Sequence, residues 1–87
     1  MITVRYFAAA RAAAARASEE IPAEVPLDRE ALVRALVARH PTPPAGEPAL
    51  ATVLEQSSLL VDGVAMRPGH TAAAGACVDV LPPFSGG

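Results

Sequence analysis

Pro82-Pro83-Phe84-Ser85-Gly86-Gly87 closes the sequence, directly after the alternating run Cys77-Val78-Asp79-Val80-Leu81. Prolines have no amide hydrogen, so a sheet ladder through 77–81 must stop at Pro82. Consecutive prolines also favour an extended polyproline path. At about 3.3–3.6 Å per residue, the stretch from Pro82 to Gly87 reaches up to roughly 20 Å. Phe84 is an aromatic in search of a pocket, and Ser85, Gly86 and Gly87 present almost no width. Such an end fits a channel that would exclude larger side chains. The Gly87 carboxylate has no Cβ beside it to hinder a nucleophile. A carboxylate becomes a good electrophile only as a mixed anhydride, so the chemistry these residues suit is activation of Gly87 inside another protein. A frayed Gly-Ser terminus is the bland alternative. The ordered succession of strand, Pro-Pro, aromatic and Gly-Gly favours a functional tail.

The elements that must position this tail are legible in outline. In "MITVRYF", Ile2, Val4 and Tyr6 fall on one side and Thr3, Arg5 and Phe7 on the other, the period of a half-buried strand. "AAARAAAARA" (8–17) has high helix propensity and predicts a short helix or helical turn. "SEEIPAEVPL" reads as a weaker strand, placed at a sheet edge by Pro22. "LDREALVRALVARHP" is the clearest helix: Asp28 is its N-cap and Glu30 lies in the first turn. Leu32, Leu36, Val33 and Val37 form its apolar stripe, His40 sits at its C-terminal end, and Pro41 stops it. After the proline-rich loop 41–48, "ALATVLEQ" predicts a helical turn. "SSLLVDG" predicts a third strand with an Asp62-Gly63 turn, and "VAMRP" a short fourth strand paired across it. The last strand puts Val78 and Val80 on one face and Cys77, Asp79 and Leu81 on the other. This order predicts an α+β roll, a mixed sheet packed on one main helix.

Composition bounds the function. Eighty-seven residues make one small domain, with residues 82–87 as its tail, and only Tyr6, Phe7 and Phe84 are aromatic. The net charge is −2 and all seven basic residues are arginines, without a basic stripe, so nucleic acid is not an expected partner. Cys77 is the single cysteine, which excludes an internal disulfide, and with His40 and His70 it has no metal-ligand spacing. No apolar run approaches the roughly 20 residues of a membrane span. Arg5, Arg11 and Arg16 without any acid in the first 18 residues superficially match a transit peptide, but strand followed by alanine helix is the simpler reading. A soluble cytoplasmic protein is expected.

The sequence resembles the small subunit of molybdopterin synthase, the MoaD-type sulfur carriers, which are ubiquitin-like and related to the ThiS-type carriers of thiamine synthesis. The resemblance rests on "MITVRYFA", "DREALVRALVARHP", "SSLLVDG" and above all "VDVLPPFSGG", and covers nearly the whole chain. It implies a β-grasp fold. It also implies a mechanism in which an E1-like adenylyltransferase/sulfurylase, using ATP and magnesium, adenylates Gly87. A persulfide donor then leaves a C-terminal thiocarboxylate there. The tail enters the large subunit of molybdopterin synthase, and the sulfur passes to a cyclic pyranopterin to build the dithiolene of molybdopterin. The chain itself would be a non-catalytic sulfur-donor subunit binding no cofactor or metal, with acid–base groups supplied by the large subunit.

In a β-grasp fold the first and last strands are parallel neighbours. Arg5 and Asp79 then share the outer face, as do Thr3 and Cys77, while Phe7 and Leu81 meet beside the tail. Phe7, Leu81 and Phe84 are thus expected to form an apolar docking patch, continued by Pro82, Pro83, Ser85 and Gly86. Cys77 reads as a structural thiol, with no base nearby to activate it. Two other uses of the same end remain open: a sulfur carrier for a different product, and a ubiquitin-like modifier joined through Gly87 to lysines. A plain binding module with an inert tail is a third.

Overall fold

Alternation in the first residues becomes β1 (Ile2–Tyr6), in which Ile2, Val4 and Tyr6 are buried. The computed structural model describes residues 1–83. After β1 come α1 (Ala8–Ala14), β2 (Ser18–Ile21), α2 (Arg29–Arg39), α3 (Leu50–Gln56), β3 (Ser58–Val61), β4 (Val64–Ala65) and β5 (Cys77–Leu81). Among the described residues the strands form one mixed sheet in the order β2-β1-β5-β3-β4. β1 and β5 are parallel and in register, Thr3 opposite Cys77 and Arg5 opposite Asp79. β2 pairs antiparallel with β1 and lies at the edge as expected, but it ends at Ile21, so Pro22 follows the strand and stops it rather than sitting within it.

One face of this sheet is covered and the other is open. The covered face carries Ile2, Val4, Tyr6, Ile21, Leu59, Val78 and Val80, all buried. Leu32 and Leu36 of α2 pack against the same core, with Val33 and Val37 half-buried at its margin. Each fully buried Ile, Leu or Val contributes about 1.5–3 kcal/mol relative to exposure. Asp28 caps α2, accepting from the Ala31 amide at 2.8 Å.

α2 is the main helix, as expected, and two shorter helices join it on the sheet among the described residues, α1 within the alanine run and α3 within "ALATVLEQ". α1 buries Ala10, Ala13 and Ala14, and α3, which it contacts, buries Leu50, Val53 and Leu54. α3 is too short to be stable from propensity alone. Arg29 supplies part of what it lacks, donating from Nη2 to the carbonyls of Leu54 and Ser57, both at 2.9 Å, at the helix end where such groups go unpaired. The Asp62-Gly63 turn is as expected: both residues have positive φ, 49° and 85°, as the tight hairpin between β3 and β4 demands. The 66–76 connector is pinned by reciprocal hydrogen bonds between Leu27 and Ala72 of 2.9 and 2.8 Å.

Candidate functional site

β1 and β5 run parallel and end together, so Phe7 and Leu81 emerge side by side on the open face. Phe7, Leu81, Pro82 and Pro83 are thus brought into one groove of about 410 Å³, completed by Ala8, Ser58, Leu60 and Ala65. Phe84, Ser85, Gly86 and Gly87, the remaining candidate residues, lie outside the described residues. Phe7 is 39% exposed and is not covered by a loop. The chain turns sharply beneath it: Phe7 is extended (φ −127°, ψ 151°) and Ala8 is left-handed (φ 49°). That reversal starts α1 and leaves the ring on the open face.

Sequence reasoning missed Ser58, Leu60 and Ala65. The register explains their presence: Ser58 stands opposite Leu81, Leu60 opposite Asp79, and Ala65 opposite Leu60. Period-2 alternation in "SSLLV" carried the signal, but only the pairing of β3 with β5 assigns a face to it.

Arg5 and Asp79 are bonded as well as adjacent. Arg5 Nε and Nη2 donate to the two carboxylate oxygens of Asp79 at 2.6 and 2.8 Å, the forked geometry of a guanidinium on a carboxylate. The guanidinium carbon also lies 5.9 Å from the centre of the Phe7 ring, within cation–π range. The hydrogen bond and then the charge of Asp79 push the Arg5 pKa further up, so the guanidinium stays charged. Cys77 Sγ is 3.8 Å from Asp79 Oδ1, a long contact to an oxygen already engaged by Arg5.

Behind this face lies a group the sequence did not reveal as special. Glu19 of β2 is buried, its side chain only 4% exposed. It accepts from the Tyr6 hydroxyl at 2.5 Å and Arg39 Nε at 2.8 Å, and His40 Nε2 lies 2.5 Å away. Burial alone would push the Glu19 carboxyl up; hydrogen bonds from Tyr6, His40 and Arg39 outweigh it and hold the group down at about 2. Burial, then the bond to Glu19, pushes the Tyr6 phenol well above its ordinary value. His40 is at the C-terminus of α2 as expected, but its ring is directed to Glu19 and packs edge-on against Tyr6, with centroids 6.1 Å apart. The cluster ties the end of α2 to β1, one residue from Phe7.

Arg67 and His70 are elsewhere. The Arg67 amide donates to His70 Nδ1 at 3.2 Å, beside Asp28 and Glu30 at the start of α2, and neither residue lines the groove. No helix among the described residues is long and apolar enough to cross a membrane.

No family model and no curated protein matches the sequence. Solved structures do. SAMP1 from Haloferax volcanii superimposes with a TM-score of 0.73 at 24% identity, over 99% of this chain and 98% of that one. A second structure, of the H. volcanii small archaeal modifier protein 1, gives 0.70 at 20% identity over 94% and 95% of the two chains. A candidate molybdopterin converting factor, subunit 1, from Pyrococcus furiosus gives 0.66 at 22% identity over 94% and 95%. These likenesses, with the parallel β1–β5 pair and the helices on one face, establish that the chain has the ubiquitin-like β-grasp fold.

Proposed function

We propose that this chain is a MoaD-type sulfur carrier, the small subunit of a molybdopterin synthase. The observation that supports this best is the convergence of Phe7, Leu81, Pro82 and Pro83 in one open groove at the base of the sequence Phe84-Ser85-Gly86-Gly87. A partner that binds the groove is placed to receive the tail. The reading requires the mature chain to end at Gly87. There, a carboxylate oxygen attacks the α-phosphorus of ATP, pyrophosphate leaves, and an acyl adenylate forms in the E1-like enzyme. The terminal sulfur of a persulfide then displaces AMP, and a thiol cleaves the resulting acyl disulfide to release the thiocarboxylate. In the large subunit that sulfur attacks an electrophilic carbon of the pyranopterin and displaces an oxygen leaving group. Water then cleaves the resulting thioester, leaving sulfur on the pterin and restoring the Gly87 carboxylate. No described residue near the groove is a free base, so proton transfer falls to the partner.

Reconstitution with a large subunit and pyranopterin precursor tests this. The thiocarboxylated chain should form molybdopterin, and the same chain lacking Gly87 should form none while keeping its melting temperature. Molybdopterin formation without Gly87 would refute the reading.

A second use of the same groove and tail is favoured by the fold neighbours named as archaeal modifier proteins. As a modifier, the chain would be joined through Gly87 to target lysines. Its own sequence contains no lysine, so side chains of one copy cannot accept another. Isopeptide conjugates that disappear on loss of Gly87 would favour this use.

A further inference from the structure

We propose that the hollow between Arg5, Arg11 and Ser18 is a carboxylate-binding site that docks an acidic side chain of the adenylating enzyme, an inference resting on the sulfur-carrier reading above. The hollow measures about 290 Å³ and shares Phe7 and Ala8 with the apolar groove. The two are therefore one continuous surface, apolar beside the tail and basic beside α1. A partner that seats apolar side chains in the groove brings its neighbouring residues over Arg5 and Arg11.

The charge of the hollow stands out against the chain around it. The sequence carries a net charge of −2, yet no carboxylate is among the residues lining this hollow. Arg5 commits Nε and Nη2 to Asp79, which leaves Nη1 for another acceptor. Arg11 is exposed and has no carboxylate partner among the described residues. The neighbouring acid Glu19 faces the interior and is held by Tyr6, Arg39 and His40. Glu20, on the open face, stands opposite Thr3, further along β2. The Ser18 hydroxyl can complete a site in which two guanidinium groups and one hydroxyl face a single anion.

The occupant is a side-chain carboxylate rather than a polyanion. Asp79 balances the charge of Arg5, so Arg11 leaves the hollow with about one uncompensated charge, enough for one carboxylate and too little for a nucleic-acid backbone. Continuity with the groove selects a protein partner, and the first protein to engage the tail is the enzyme that adenylates it. A rim charge of this kind acts on encounter and register, so it should be visible in KM and in salt dependence.

The experiment is ATP–pyrophosphate exchange by an E1-like adenylyltransferase, measured against the concentration of the full chain. Arg11→Glu should raise KM for this chain about tenfold, with the rate at saturation kept. Arg11→Ala should raise it less, and Arg11→Lys should stay near the parent. Added salt should raise KM for the parent more than for Arg11→Ala. Circular dichroism melts of each variant verify folding, which an exposed and unpaired arginine does not support. Parent-like KM for Arg11→Glu, or a loss confined to the saturated rate, overturns the proposal. Exchange that is absent even with the parent chain overturns the sulfur-carrier reading itself, and this site's partner with it.

Discussion

Arg5 and Asp79 face each other across the parallel β1–β5 pair, with Arg5 Nε and Nη2 2.6 and 2.8 Å from the two oxygens of Asp79. Their side chains are 52% and 14% exposed, so solvent screens the pair and its worth to stability is small. Its consequence is positional: with the guanidinium fixed, Phe7 has a cation beside its ring. Asp79→Asn should leave the melting temperature close to the parent's and, by releasing the Arg5 charge beside the hollow, lower KM in the adenylation assay. Thermal melts and exchange kinetics on one preparation check both halves.

Tyr6 and Phe7 are chain neighbours on opposite faces, and their substitutions should separate stability from docking. Phe7→Ala removes a ring that is 39% exposed and should cost under about 1 kcal/mol of stability, yet abolish most partner affinity. Tyr6→Phe deletes the hydroxyl that donates to buried Glu19 and should cost about 1.5–3 kcal/mol, with docking retained. Urea titrations paired with partner-binding measurements distinguish the two. Global unfolding of Phe7→Ala would show the ring to be part of the core.

Glu19 is the most consequential buried polar residue. Glu19→Ala strands the Tyr6 hydroxyl, Arg39 and His40 together. Because Arg39 is 43% exposed and can turn to water, the loss should be about 2–3 kcal/mol, below that of a fully buried ion pair. Denaturant midpoints measure it.

The same carboxyl sets an acid limit. Its pKa falls from an ordinary 4.5 to about 2 in the fold. As pH drops from 4.5 toward 2, the unfolded chain takes up a proton at Glu19 that the folded chain refuses, so stability declines with falling pH across that window. Above 4.5 the contribution is fully present. Glu19→Gln should flatten this slope, read as unfolding free energy against pH.

Ala8 holds φ at 49°, a conformation that costs an L-residue roughly 1–2 kcal/mol. Ala8→Gly should be neutral or stabilising, and the β-branched Ala8→Val should destabilise by at least about 1 kcal/mol. Equal stability of the two variants would contradict the strained turn beneath Phe7.

Much of this was legible from short-range patterns. Alternation in 1–7 and 77–81 gave both faces of the central strands, Pro22 marked an edge, and Asp28 marked the start of α2. Leu60 and Ala65 were not legible as groove residues, because a strand's faces acquire meaning only when its neighbour is known. Glu19 was hidden differently. "SEEI" places Glu19 and Ile21 on one side, but a buried glutamate needs partners, and Arg39 and His40 lie 20 and 21 residues away at the end of α2. α3 fills the stretch where a helical turn was expected, but the contact at its end, Arg29 of another helix donating to the Leu54 and Ser57 carbonyls, has no local sequence signal. The end of the tail, 84–87, lies outside the described residues, and the role proposed for it rests on the sequence and on the groove at its base.

Intact-mass analysis of the full chain after incubation with an E1-like adenylyltransferase, ATP, magnesium and a sulfur source tests the central claim most directly. The account predicts one oxygen replaced by sulfur, localised to Gly87. An unchanged mass under conditions in which the enzyme thiocarboxylates another carrier, or mature protein that extends beyond Gly87, would contradict it.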